Sequence, residues 1–207
     1  MAKVWRVLID HYFQRWVRPD DAVLDVGAGL CNFINQVRAG RKIAVDIDPA
    51  VAERCSPDVT FIECPCADLA DADLGGKVDV AFVSNLLEHL DDSDAVLSLL
   101  TALRGHLNPG GRLIILQPNF ALVGARYFDF VDHKTVLTDM SLIEALELTG
   151  YRITHMKRRF LPYTSKSAIP KAPWLVRLYL MMPIAHYFMG GQTLVVATPA
   201  DETAARA

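Results

Sequence analysis

Five apolar runs of strand length, separated by stretches with helical spacing, constrain this chain most: AVLDVG (22–27), KIAVDI (42–47), VTFIE (59–63), VDVAFVS (78–84) and RLIILQ (112–117). Runs that are hydrophobic at nearly every position leave no face for water. Such strands belong in a parallel sheet covered on both sides by crossover helices. The order changes after the fifth run, where SLIEALELTG (141–150) is a helix stopped by Gly150, and YRITHMKRRF (151–160) and QTLVVAT (192–198) follow as a strand pair. The expectation is an α/β sheet, mostly parallel, closed by a hairpin.

With 207 residues, the sequence is of a size that folds as one domain, 1–207, around a sizeable core. Trp5, Leu8, Ile9, Tyr12, Phe13 and Trp16 recur at helical spacing over 3–16, so an amphipathic helix is expected within 1–18, ahead of Pro19. Residues 161–191 stand as an insertion between the last two strands, where a short turn would suffice. Its apolar part, Trp174 to Met189, is too short for a bilayer and is broken by Arg177, Pro183 and His186. Net charge is only −3, but from Leu148 to Ala200 there are 7 Lys/Arg and no Asp/Glu. A basic, aromatic segment beside an acidic body suits an anionic partner or peripheral contact with a membrane surface through 157–189, with Arg158, Arg159, Lys166, Lys171 and Arg177 as the basic contacts. The first residues are too charged for a signal peptide, and four cysteines make no disulfide framework, so a cytoplasmic protein is expected, with the inner membrane surface as its peripheral site.

The segment VLDVGAGLCNF (23–33) reads as a strand ending in an acid, then a Gly-x-Gly turn opening a helix. Gly27 and Gly29 let the backbone turn tightly and approach a ligand closely. The fingerprint of dinucleotide enzymes wants a third glycine where this chain has Asn32, and Asp25 would repel a pyrophosphate; both features disfavour an NAD(P)-dependent oxidoreductase. An acid there suits a cationic ligand end. Asp46, closing the second strand in IAVDIDP, can accept both hydroxyls of a ribose, whereas Asp48 reads as a cap ahead of Pro49. Cys64-Pro65-Cys66 has no second pair to complete a zinc site, and no metal site is expected.

LDVGAGLCNF, AVDIDP, VDVAFVSNLLEHL (78–90) and LNPGGRLIILQPN (107–119) occur in order, and together they resemble the successive motifs of class I S-adenosylmethionine (SAM)-dependent methyltransferases. The resemblance runs from about Pro19 to Thr198. It implies a seven-stranded Rossmann-like sheet, antiparallel at its last strand, with SAM as cofactor. It further implies that Asp25, Gly27 and Gly29 hold the methionine end, that Asp46 takes the ribose, and that Ile47 sandwiches the adenine. Ala67 or Asp68 would reach the adenine edge, and Asn85 and Leu86 would line the pocket beside the methionine. Cys31 departs from the family, many of whose members have a glycine there. The wider pattern, with RFLPYTSKS, is similar to a bacterial group associated with polysaccharide and glycosyl-transfer functions.

Ligands of open α/β sheets lie off the C-terminal strand ends, which makes QPNFALVGARYFDFVDHKTVLTD (117–139) the acceptor wall. His133 is the candidate general base for a hydroxyl, with Glu88 and His89 as an alternative pair. The expected acceptor is a small molecule, a glycan or a lipid-linked intermediate. Nucleic acid is not expected, because SNLL at the fourth strand exit lacks an Asn-Pro-Pro-aromatic signature. A SAM-binding regulatory protein without turnover is the alternative, and the oligomeric state is left open.

Overall fold

The computed structural model describes residues 1–163 and 172–200. An N-terminal helix α1 (Ala2–His11) precedes the sheet strands β1 (Ala22–Val26), β2 (Arg41–Asp46), β3 (Val59–Glu63) and β4 (Val78–Ser84). Helix α2 (Ser93–His106), β5 (Leu107–Pro118), α3 (Phe120–Val123), α4 (Asp139–Leu148) and β6 (Tyr151–Lys157) follow, then α5 (Pro173–Met181), α6 (Pro183–Met189) and β7 (Gln192–Pro199). The strand order is β3-β2-β1-β4-β5-β7-β6. Only β7 runs against its neighbours, pairing antiparallel with both β5 and β6. This is the seven-stranded, mostly parallel sheet expected. The strand order reverses between β1 and β4, and the C-terminal strand ends flanking that point form the crevice where such sheets bind ligands.

Alternate residues of the apolar runs feed two cores. Leu24, Val26, Ala81, Val83, Leu113 and Ile115 pack under α2 and α4. Val23, Val80, Phe82, Ile114 and Leu116 face the other way, against Leu8 and Ile9 of α1 and Val176 and Leu180 of α5. Aromatic rings fill that second layer, with Phe33 stacked on Phe82 at 3.8 Å between centroids and Phe13 edge-on to Phe82 at 5.4 Å. The insertion therefore belongs to the fold: α5 lies on α1, and the Tyr179 hydroxyl bonds the Phe160 carbonyl at 2.5 Å.

Several boundaries differ from expectation. The segment after Gly29 is a chain of turns across residues 29–36. Cys31 sits at φ +51°, and the Asn35 and Gln36 side chains bond the Arg54 and Asn32 carbonyls at 2.7 Å each, so local side-chain bonds compete with a continuous helix. The N-terminal helix ends at His11, and a separate 3₁₀ turn covers Phe13–Trp16, because Tyr12 leaves helical geometry at φ −137°. The α4 helix starts at Asp139, as a cap at Thr138 implies, behind a capping box of Thr138 and Ser141; it ends at Leu148, two residues before Gly150, which sits at φ +76°. The NPGG turn lies inside β5, whose pairing with β4 is irregular between Val78 and Val80. β6 stops at Lys157, where Arg158 turns aside to bond Asp139 at 2.8 Å.

Candidate functional site

Asp25, Gly27 and Asp46 come together because β1 and β2 are adjacent and in register, with Asp25 opposite Ala44. Asp25 is 4% exposed. Burial pushes its carboxyl up to about 8, against the pull of the Ile34 amide and with a further push from Asp46. With one amide donor too little to offset its burial, an acid so placed needs a cationic partner to be held as an anion. Gly27, at φ +69°, lies under Leu86: a Cβ on it would come within 2.9 Å of Leu86 Cδ1. The Gly29 amide donates to Asp46 Oδ2 at 2.9 Å and the Asp48 amide to Oδ1 at 3.0 Å, so the backbone aims this carboxylate while its remaining lone pairs stay free for hydroxyls. These residues fit SAM, with a buried anion for its amino group and an aimed carboxylate for its ribose.

Ile47 is 68% exposed beside Asp46, an apolar side chain left to water next to a proposed adenine site. Asp48 caps the 3₁₀ turn Pro49–Arg54 by accepting from the Ala50 amide. Ala67 and Asp68 lie on the 3₁₀ turn Cys66–Asp71 after β3, and the Cys64 amide bonds the Asp46 carbonyl at 3.0 Å, which sets this turn beside the ribose position. Cys64 and Cys66 are free thiols. Cys31 takes the left-handed conformation that a glycine would take, is fully buried, and has its sulfur 3.4 Å from that of Cys55. Burial pushes its thiol up to about 12, so it is a packing group rather than a nucleophile.

Asn85, at φ +51°, leaves β4 with its amide bonded to the Leu116 carbonyl and its side-chain oxygen accepting from Gln192 at 3.2 Å. Asn85 also borders a cavity of about 710 Å³. Leu116, Pro118 and Gln192 line the strand side of this cavity, Trp5 and Leu8 the α1 side, and Leu175, Tyr179, Met182 and Met189 the α5–α6 side. Glu88, His89 and His133 converge on its wall. The Glu88 carbonyl accepts from the Lys134 and Thr135 amides, which straps the 130–135 loop across the β4 exit. Glu88 is 2% exposed, Oε2 has no partner, and burial pushes the carboxyl up to about 8, with Asp132 adding to the push. The His133 ring stacks on Phe130 and meets Tyr127 edge-on at 4.6 Å. Burial, then neighbouring His89, hold its imidazole below the ordinary value against the pull of Asp132 and the Tyr127 carbonyl, so the neutral ring predominates at pH 7.

Sequence reasoning thus named Asp25, Gly27 and Asp46, which the structure brings together at the β1–β2 edge, but separated His133 from Glu88 and His89 as alternatives, although the loop brings all three together. Phe130 lies on the acceptor wall expected, but Gln192 and Tyr163 were missed as cavity residues, since no local pattern marks a side chain contributed by a distant strand or loop. It also missed Arg54, whose guanidinium bonds the Gly29 carbonyl at 3.1 Å and braces the glycine turn. Arg158 is paired with Asp139, and Arg159 bonds the Tyr187 carbonyl at 3.0 Å, so neither is the unengaged basic contact expected. Lys166 and Lys171 lie outside the described residues.

The fold and this crevice define the class I SAM-dependent methyltransferase architecture, and the comparisons agree. Residues 24–113 match the family model described as a methyltransferase domain. A SAM-dependent methyltransferase from Archaeoglobus fulgidus superposes with a TM-score of 0.65 at 16% identity, covering 95% of this chain and 94% of that one. The N-methyltransferase NodS from Bradyrhizobium japonicum gives 0.61 at 14%, covering 96% and 93%. Magnesium protoporphyrin IX methyltransferase from Synechocystis, with bound SAH, gives 0.64 at 12%, covering 96% and 83%. The comparison with curated proteins gave no match. Residues 24–113 thus match a methyltransferase-domain model, and the fold around them is the one these SAM-dependent methyltransferases share.

Proposed function

We propose that this methyltransferase acts on a hydroxyl of an amphipathic, lipid-linked acceptor, working peripherally at the cytoplasmic surface of a membrane. The observation that carries this reading is the cavity between α1 and α5–α6, whose roof turns apolar side chains both inward and out to solvent. Trp174, Met181, Ile184, Tyr187 and Phe188 are 64–75% exposed, a concentration of large apolar groups that a solvated surface does not favour. Exposed Arg177 stands among them. No described helix is long and apolar enough to cross a membrane, so the contact proposed lies in the interface plane.

When bound, SAM supplies a methyl group already activated by its sulfonium, and the protein's tasks are alignment, water exclusion and proton removal. Asp25 anchors the amino end and Asp46 the ribose. The apolar cavity wall excludes water from the acceptor. Neutral His133 would take the acceptor's hydroxyl proton as that oxygen accepts the methyl group that SAM would supply. The test is incubation with methyl-labelled SAM and either the organic-phase or the aqueous extract of bacterial envelopes. Label in lipid, with protein that co-sediments with anionic vesicles and is released by salt, supports the reading. Label confined to water-soluble products, with no vesicle binding, overturns it.

A further inference from the structure

Glu88, His89 and His133 each offer a ligating atom, and these atoms lie within 4.8 Å of one another on the cavity wall. None of the three bonds another. Glu88 Oε2 and His133 Nδ1 are both buried and both without a hydrogen-bond partner. An orphaned buried polar atom costs on the order of 1–3 kcal/mol, and two of them on side chains that converge on one cavity wall mark a place where a ligand completes the bonding. His89 is oriented from behind, its Nδ1 standing 3.2 Å from the Asp132 carbonyl and 3.3 Å from Asp132 Oδ2. That leaves Nε2 as the coordinating nitrogen, in the manner of a carboxylate-oriented metal histidine.

We propose that Glu88, His89 and His133 bind a divalent first-row transition cation of the zinc type. Two imidazoles and one carboxylate form the three-ligand set that such ions take when a fourth position is left open. Here the open position faces the acceptor cavity. Bonds of about 2.0–2.2 Å place tetrahedral ligand atoms about 3.3–3.5 Å apart, so atoms within 4.8 Å of one another need to close by about 1.5 Å at most, which side-chain rotation can supply. The ion would hold the acceptor oxygen and make its hydroxyl acidic enough to lose the proton to solvent water, in which case His133 is a ligand and this replaces its role as base in the reading above. That role rests on the methyl-transfer reading above, whereas binding of the ion does not.

The experiment uses the full chain stripped with chelator, without acceptor or turnover. Zinc is titrated by equilibrium dialysis and cobalt by its visible absorption. The expected result is one ion per chain in the micromolar range or tighter, with a cobalt spectrum of nitrogen and oxygen ligands lacking thiolate charge transfer. His133→Ala and Glu88→Gln should each weaken binding at least about tenfold, while SAH affinity and melting temperature show that each variant is folded. The double variant Cys64→Ser, Cys66→Ser should bind as the parent does. Absence of binding by the parent, binding unchanged in folded His133→Ala and Glu88→Gln, or binding that moves with the cysteines would overturn the proposal. A protein that binds the ion as described but labels no lipid leaves this site standing and overturns the acceptor reading instead.

Discussion

Replacing Asp25 by Asn separates the cost of a buried acid from its use. A carboxyl carried from its ordinary value of 3.8 to about 8 in the folded chain takes up a proton on folding, so its share of stability is greatest at low pH and falls as pH rises through that interval. At 1.36 kcal/mol per unit the penalty at pH 8 is on the order of 5 kcal/mol at most, and relaxation and water reduce it. Without ligand, Asp25→Asn should therefore be more stable than the parent at pH 8 by at least about 1 kcal/mol, a gain of about 2–4 °C in melting temperature, with the advantage vanishing near pH 4. The difference between the two proteins isolates Asp25 from Glu88, which titrates in the same direction. Bound SAM reverses the balance, because its amino group pairs with the ionised acid. Calorimetry at pH 7 in buffers of different ionisation enthalpy should show release of close to one proton per SAM bound by the parent and none by the variant, with weaker binding. Equal pH slopes between pH 5 and 8, or SAM binding without proton release, would refute this account of Asp25.

Two further substitutions follow from the same geometry. Gly27→Ala forces φ +69° on a residue with a Cβ and sets that atom 2.9 Å from Leu86 Cδ1, so it should destabilise by about 1–3 kcal/mol and weaken SAM binding. Gly29→Ala, whose Cβ would meet nothing nearer than 3.9 Å, should lose only the backbone part; thermal melts of the pair check the contrast. His133→Ala should lower turnover by about 10²–10⁴ with SAM affinity nearly unchanged, measured by steady-state kinetics and SAH titration. A loss below about threefold would make His133 a packing residue.

The parallel sheet was legible because burial on both faces leaves a compositional trace in its central strands, and each of the seven runs forms a strand. The proposed cofactor residues were legible as a cluster for a related reason: strand, turn and acid are contiguous or recur at short spacing, so Asp25, Gly27, Gly29 and Asp46 announce themselves locally. Element ends were less so. The irregular crossover after Gly29 depends on Cys31 entering the left-handed region, which its residue type does not predict. The acceptor cavity was least legible, since Glu88 meets His133 only through amide bonds from Lys134 and Thr135 to the Glu88 carbonyl. Likewise, the insertion's helices acquire meaning only once α5 lies on α1. Charge counting pointed to Arg158 as a free contact because it could not see Asp139 beside it.

Calorimetric titration with SAM, SAH and NAD tests the central claim most directly, with Asp46→Ala as the companion protein. The expected result is one site for SAM and SAH in the micromolar range and no heat with NAD. In Asp46→Ala, SAM should bind more weakly by about 1.5–3 kcal/mol through the lost charge-assisted bonds to the ribose. Tight NAD binding with no SAM heat would contradict the assignment.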